Sequence, residues 1–137
     1  MLAMYSKALR TLTLLTLITP LAFSQTSAAP VDPKTIPVID AEIGPCSADF
    51  TVTDAAGVPV YDAKVRLHIA YGFINVHRLN LEVGTNADGK ARFTGLPSRI
   101  KHGLFFEASQ ADRAGNAFDD PSTTCKAQFT ITLQKKN

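Results

Sequence analysis

Apolar and polar residues alternate along most of the chain after residue 45, and this alternation predicts β-strands. Phe50 and Val52, for example, are separated and flanked by polar residues. A period of two places every second side chain on one face of a sheet, whereas a helix repeats every 3.6 residues. No window of ten or more residues after Ser24 carries a helical stripe. The apolar members of the other strands are Val65, Leu67, Ile69, Tyr71, Leu79, Leu81, Val83, Ala91, Phe93, Ala127, Phe129, Ile131 and Leu133.

Turn-forming residues separate these strands. Gly57 and Pro59 interrupt the chain between the first two strands, Asp88-Gly89 is a pair that suits a hairpin turn, and residues 95–97 end the strand after it. With a further strand at residues 104–109, about seven short strands result. Strands that are apolar on one face require a second sheet to cover that face. The sequence therefore predicts an all-β fold, an antiparallel β-sandwich of about seven strands.

The segment from Met1 to Ser24 has the features of a secretory signal peptide. Lys7 and Arg10 precede an apolar run at residues 12–23, and the segment contains no acidic residue. Small residues at Ala22 and Ser24 favour cleavage after Ser24. An uncleaved membrane anchor is the alternative, but a bilayer span needs about 20 apolar residues. We therefore expect an exported protein, secreted or periplasmic, that has no membrane contact after cleavage.

The predicted export changes how the charge is interpreted. The chain has 14 Lys and Arg against 12 Asp and Glu, with a formal net charge of +2. Two of the cations, Lys7 and Arg10, belong to the signal, which leaves a formally neutral mature chain with scattered cations. Nucleic-acid binding requires clustered cations that neutralise phosphates, so we expect no nucleic-acid partner.

One globular domain follows the signal, because 45% hydrophobic and 19% charged residues are typical of a single folded domain at this length. Residues 25–45 contain four prolines and form a Pro-rich linker or edge segment, in which residues 38–43 are suited to a sheet edge. The β-sandwich domain is expected at residues 46–134. Two short stretches, residues 98–102 and 112–119, are left open as helical turns.

Cys46 and Cys125 are the only two cysteines, and in an exported chain this count predicts one disulfide. Closing a loop of about 80 residues would stabilise the fold by roughly 4.5 kcal/mol on the chain-entropy model. The bridge would link the first strand of the sandwich to the last. A free thiol and half of a metal site are the alternatives, but neither cysteine has a second cysteine or a histidine beside it.

Several segments resemble the carboxypeptidase regulatory-like, or prealbumin-like, group of β-sandwich domains. They are residues 52–60 (Val-Thr-Asp-Ala-Ala-Gly-Val-Pro-Val), 63–65, 85–90 (Thr-Asn-Ala-Asp-Gly-Lys), Phe93 and residues 95–97. The similarity extends over residues 48–110. It implies an immunoglobulin-like or transthyretin-like sandwich, used in that group mostly as an accessory module, and it implies no shared catalysis.

One relative with this fold is an enzyme, 5-hydroxyisourate hydrolase, and its turn is similar to residues 85–89. That family has a catalytic His in a His-Val-Leu-Asp segment, where this chain has Thr51-Val-Thr-Asp. It also ends in Tyr-Arg-Gly-Ser, whereas this chain ends in Gln-Lys-Lys-Asn. No Gly-x-Ser-x-Gly motif places a serine near a histidine. We therefore expect no catalytic residues and no enzymatic activity, with a hydrolase on this fold kept as an alternative.

Metal binding is the other alternative, because imidazoles suit zinc or copper and clustered oxygens suit calcium. The three histidines are widely spaced, and an acidic stretch is expected in a loop before the last strand. Solvated side chains are the simpler interpretation of both groups, so we expect no metal and no cofactor. The residues concerned are His68, His77 and His102, and Asp112, Asn116, Asp119 and Asp120 with Gly115 for a turn.

A binding site is predicted where apolar residues continue past the end of a strand. Tyr71, Phe73 and Ile74 lie in such a run, and loops on a rigid sandwich commonly carry binding. The alternative is that some of them close one end of the core. Phe105 and Phe106 are adjacent in a strand, so one of them is expected at the surface. The predicted function is a non-catalytic module that binds a protein, peptide or polysaccharide partner in the cell envelope or outside the cell.

Overall fold

The computed structural model describes residues 31–137, and the predicted signal with its cleavage site lies outside them. Within residues 31–137 the backbone forms nine strands and one 3₁₀ turn. No helix in this part of the chain is long and apolar enough to cross a bilayer. The strands are β1 (Val38–Asp40), β2 (Cys46–Thr53), β3 (Lys64–Tyr71), β4 (His77–Gly84), β5 (Lys90–Leu96), β6 (Leu104–Gln110), β7 (Arg113–Asp119), β8 (Lys126–Thr132) and β9 (Gln134–Lys135), and the 3₁₀ turn is Phe73–Asn75.

The strands form two sheets around one core. The first sheet has the order β1-β5-β2-β8, and the second has the order β4-β3-β6-β7-β9. Buried apolar side chains from both sheets form a single cluster. The predicted all-β sandwich is confirmed, and β1 forms the short edge strand expected in residues 38–43.

Strand direction is mixed in the first sheet. β2 runs parallel to β8, and β1 runs parallel to β5, whereas β2 and β5 are antiparallel. The second sheet is antiparallel at each pairing. Parallel neighbours require a long connection. The connection between β2 and β8 contains every strand of the second sheet except β9. Apolar periodicity alone does not encode which strands pair, so this feature was not visible in the pattern.

Aromatic rings fill the centre of the core. Phe50 of β2 lies 4.6 Å from Phe106 of the second sheet, measured between ring centroids. Its ring also meets Phe93 at 5.7 Å in an edge arrangement and stacks on Phe129 at 5.5 Å. Phe50, Phe93 and Phe106 are buried, as the alternation predicted for the first two. The two sheets are therefore joined through one aromatic cluster.

The predicted disulfide between Cys46 and Cys125 is present, with the two Cα atoms 4.6 Å apart. Cys46 is the first residue of β2, and Cys125 directly precedes β8. The amide of Ser47 donates to the carbonyl of Cys125 at 2.8 Å, beside the bridge. The bridge thus joins the starting ends of two neighbouring parallel strands. A disulfide of this kind is typical of an oxidising compartment.

Residues 112–119, expected as a loop or a helical turn, instead form β7, which pairs with β6 along its length. The prediction was wrong because the one large apolar residue of β7, Phe118, faces outward, so no apolar alternation marks the strand. A Cβ at Gly115 would lie 2.6 Å from Ile131 Cγ2 and 2.7 Å from the carbonyl oxygen of Thr132. β7 therefore approaches β8 so closely that only glycine fits at this position.

The turn at Asp88-Gly89 connects two sheets rather than forming a hairpin, because β4 and β5 do not pair and lie in different sheets. The side chain of Asn86 closes the turn, since its Oδ1 accepts from the amides of Asp88 at 3.0 Å and Lys90 at 2.8 Å. Gly89 has a positive φ of 71°. These local features are the same in a hairpin, so the sequence identified the turn and its two flanking strands correctly but not that these strands lie in different sheets.

Candidate functional site

The predicted binding residues lie at one end of the sandwich, in and beside the connection between β3 and β4. We call residues 72–76 the apolar loop. Phe73, Ile74 and Val76 are 85%, 78% and 64% exposed. Tyr71, the last residue of β3, instead packs against the core and stacks on His77 with ring centroids 5.3 Å apart. Of the predicted residues, Phe73 and Ile74 thus form the exposed tip, and Tyr71 forms its base.

The backbone of the apolar loop is strained. Ile74 has φ 57° and ψ 25°, and Asn75 follows with φ 52°. Left-handed backbone is rare for β-branched residues and costs on the order of 1–3 kcal/mol. The side chain of Ile74 points to solvent, so its own burial does not offset this cost. Gly72, at φ 84°, approaches His77 so closely that a Cβ would lie 2.7 Å from the imidazole.

A groove of about 350 Å³ runs beside the apolar loop. Ile74 and Asn75 line one side, and Arg99, Ile100 and Lys101 line the other. In the described part of the chain, no acidic side chain lines this groove. Sequence reasoning missed the contribution of residues 99–101, because they resemble an ordinary polar turn and only the fold places them near residue 74.

A second groove of about 240 Å³ continues from the first along the outer face of the second sheet. The two grooves share Asn75, Ile100 and Lys101, and the second then reaches His102 and Phe105. Its lining also contains no acidic side chain among the described residues. Together the grooves form one concave surface that starts at the apolar loop.

The outer face of the second sheet carries two exposed aromatic residues. Phe105 on β6 lies opposite Phe118 on β7, and they are 54% and 56% exposed. Phe106 is fully buried, so the expectation that one residue of the 105–106 pair faces outward is confirmed. A wider depression of about 580 Å³ extends from Phe105 to the ion pair between Arg66 and Glu82, whose atoms are 2.6 Å apart.

The three histidines do not converge. His68 lies on the outer face of β3 beside Asn80, and His77 begins β4 under Tyr71. His68 and His102 line the second groove, and His77 does not. Residues 31–137 contain no group of three or more His, Cys, Asp or Glu side chains arranged to hold a metal ion.

The acidic residues considered for calcium are spread along β7 and the turns at its ends. Asp112 precedes the strand and Asp119 ends it, so their backbones are about 23 Å apart at strand spacing. Asp120 closes the next turn, where its Oδ1 accepts from the amide of Ser122 at 3.1 Å and from its hydroxyl at 2.6 Å. The loop that the calcium alternative required is therefore not formed, because the segment is extended.

Asp119 has an unusual environment. It is 4% exposed, and its Oδ2 atom has no hydrogen-bond partner among the described residues. Burial raises the pKa of the Asp119 carboxyl above its ordinary value of 3.8, and the negative charge of Asp120 raises this pKa further. The folded state thus binds a proton at this position more tightly than the unfolded state does.

We expect Asp119→Asn to stabilise the protein by about 1 kcal/mol at pH 7.5, because it removes a buried charge while keeping the side-chain shape. In the wild type, stability should rise as the pH falls through the raised folded-state pKa towards 3.8. Urea unfolding at pH 7.5 and pH 4 measures both effects, with the exposed Asp112→Asn as the matched control. Equal stability of Asp119→Asn and wild type at pH 7.5 would contradict the prediction.

Comparison with known proteins gives no family assignment. No protein-family model matches the chain, and no curated protein sequence is significantly similar to it. Among solved structures, 3-chlorocatechol 1,2-dioxygenase from Rhodococcus opacus 1CP aligns at 16% identity and a TM-score of 0.45, over 76% of this chain and 65% of that one. Chlorocatechol 1,2-dioxygenase from Pseudomonas putida aligns at 11% identity and a TM-score of 0.44, over 78% of this chain and 70% of that one. Catechol 1,2-dioxygenase from Acinetobacter sp. ADP1 aligns at 12% identity and a TM-score of 0.45, over 75% of this chain and 60% of that one. The chain therefore spans less than two thirds of the length of the first and third of these proteins.

Proposed function

We propose that this chain is a secreted or periplasmic, non-catalytic β-sandwich module that binds a protein, peptide or polysaccharide partner through the apolar loop. The observation that carries the proposal is the exposure of Phe73, Ile74 and Val76 together at one end of a rigid sandwich. Exposed apolar side chains that cluster on a soluble domain mark interaction sites, whereas scattered ones need no explanation. The strained backbone at Ile74 supports the same site, because strain of this kind concentrates at functional positions.

Two independent features support the proposed location. The disulfide between Cys46 and Cys125 is of a kind that persists in oxidising compartments. The sequence of residues 1–24 has the layout of a removable secretory signal. The non-catalytic part of the proposal rests on the sequence, since Thr51 stands where the 5-hydroxyisourate hydrolase family carries its catalytic histidine.

The proposal is tested with Phe73→Ser, because this change removes the largest exposed side chain of the apolar loop and leaves the core untouched. Tyr61→Ser is the matched control, since Tyr61 is also an exposed aromatic residue but lies in the connection before β3, at the opposite end of that strand. We expect immobilised wild type and Tyr61→Ser to retain the same partner from the native envelope fraction, and Phe73→Ser to lose it.

Thermal unfolding of the same three proteins checks that the loss of binding is not a loss of folding. Substitution of an exposed side chain usually changes stability by less than about 0.5 kcal/mol. Equal retention of the partner by all three proteins would contradict the proposal. A large loss of stability in Phe73→Ser would instead favour a packing role for this residue.

A further inference from the structure

The two grooves and the wider depression are continuous. The first and second grooves share Ile100 and Lys101, and the second groove and the depression share His68 and Phe105. We call this continuous surface the trough. It follows the outward side chains of β3 from Ala70 to Arg66, a distance of about 13 Å at strand spacing. An extended segment of four or five residues matches this length.

The charge of the trough differs between its two ends. Arg99 and Lys101 lie at the end beside the apolar loop, and neither forms a salt bridge with another described residue. At the other end, Arg66 is already paired with Glu82, and Glu107 lines the surface beside them. The loop end is therefore cationic, whereas the far end has one more carboxylate than it has cations.

Apolar side chains line the trough beside the two cations and farther along it. Ile74 and Ile100 face the first groove, and Phe105 lies where the second groove meets the depression. A ligand that matches this lining carries apolar groups along its length and carboxylates at the end that meets Arg99 and Lys101.

We infer that the trough binds an extended acidic peptide segment of a partner protein, with its carboxylates at Arg99 and Lys101 and its apolar side chains against Ile74, Ile100 and Phe105. Charge complementarity at the open cations supports this occupant, since opposite charges at the rim select a partner and speed association. The inference rests on the proposed function, because it assigns a class of partner to the same end of the sandwich.

The test is selection from a displayed library of random twelve-residue peptides on immobilised mature protein, followed by anisotropy titration of the most enriched peptides. We expect these peptides to combine at least two Asp or Glu with aliphatic or aromatic residues. The double variant Arg99→Glu, Lys101→Glu should weaken their binding by about tenfold or more. The control Lys135→Glu, Lys136→Glu reverses two exposed cations at and just after the end of β9, away from the trough, and should change binding less than twofold.

Enriched peptides without acidic residues, or equal binding by both double variants, would overturn the inference. Binding to vesicles of mixed phosphatidylcholine and phosphatidylglycerol, or to alginate, in the absence of peptide binding would also overturn it in favour of a membrane or an acidic polysaccharide. Arg99→Gln, Lys101→Gln serves as a second variant in case charge reversal disturbs folding. If the charge variants keep the envelope partner that Phe73→Ser loses, the inference fails while the proposed function stands; if Phe73→Ser also keeps it, the proposed function fails.

Discussion

The double variant Cys46→Ala, Cys125→Ala is expected to lose about 4.5 kcal/mol of unfolding free energy. The two residues are 79 apart in sequence, and on the chain-entropy model a loop of this length accounts for that amount. Small domains are stable by about 5–15 kcal/mol in total, so the loss removes a large share of the stability. Alanine is preferred to serine because Cys46 is buried and a serine hydroxyl would need a hydrogen-bond partner there.

The position of the bridge adds a reason to expect a large effect. β2 and β8 are parallel neighbours, so their pairing forms only after the intervening chain has closed into a long loop. The disulfide holds the starting ends of both strands together in the unfolded chain as well. Urea unfolding of oxidised wild type, reduced wild type and the double variant measures the effect. The two forms without the bridge should agree within about 1 kcal/mol, and midpoints equal to that of the oxidised protein would contradict the prediction.

Phe50→Ala is expected to lower the unfolding free energy by about 4 kcal/mol, because truncation of a buried phenylalanine leaves a cavity that its neighbours fill only in part. Phe50 contacts Phe93 and Phe129 in its own sheet and Phe106 in the other sheet. Its loss therefore weakens packing within the first sheet and between the two sheets. Chemical denaturation followed by circular dichroism measures the change.

Two further variants separate this packing effect from the loss of an aromatic ring as such. Phe50→Leu keeps most of the volume and should cost about half as much as Phe50→Ala. Phe118→Ala removes a half-exposed ring from the outer face of the second sheet and should cost about 1 kcal/mol or less. A loss below about 1 kcal/mol for Phe50→Ala would show that the aromatic cluster is not the centre of the core.

The strands that the sequence predicted well are those with apolar residues at every second position. β2 and β3 are examples, because each inward position holds a side chain that the core needs. β7 was missed because its close approach to β8 requires Gly115 where a strand usually has an apolar residue. The parallel direction of β2 and β8 was also missed, since apolar alternation is the same for parallel and antiparallel partners.

The sequence predicted only the part of the candidate site that is contiguous along the chain. The apolar run through Phe73 and Ile74 is contiguous in sequence, so it was visible as a run that continues past a strand. Arg99 and Lys101 come from the later connection between β5 and β6 and meet Ile74 only in the folded structure. Their role in the trough depends on spatial proximity, which no local pattern of residues encodes.

The parallel arrangement of β2 and β8 determines how the domain would transmit mechanical tension. The chain enters β2 at Cys46 and leaves β8 at Thr132, so a pull on the two flanking segments loads this strand pair in shear. The disulfide gives that force a covalent path from residue 46 to residue 125. The segment between the two cysteines, which contains the apolar loop and the trough, lies outside this path. Tension carried by the disulfide therefore bypasses the backbone of that segment and reaches it only through non-covalent contacts, such as the β1–β5 and β7–β9 pairings.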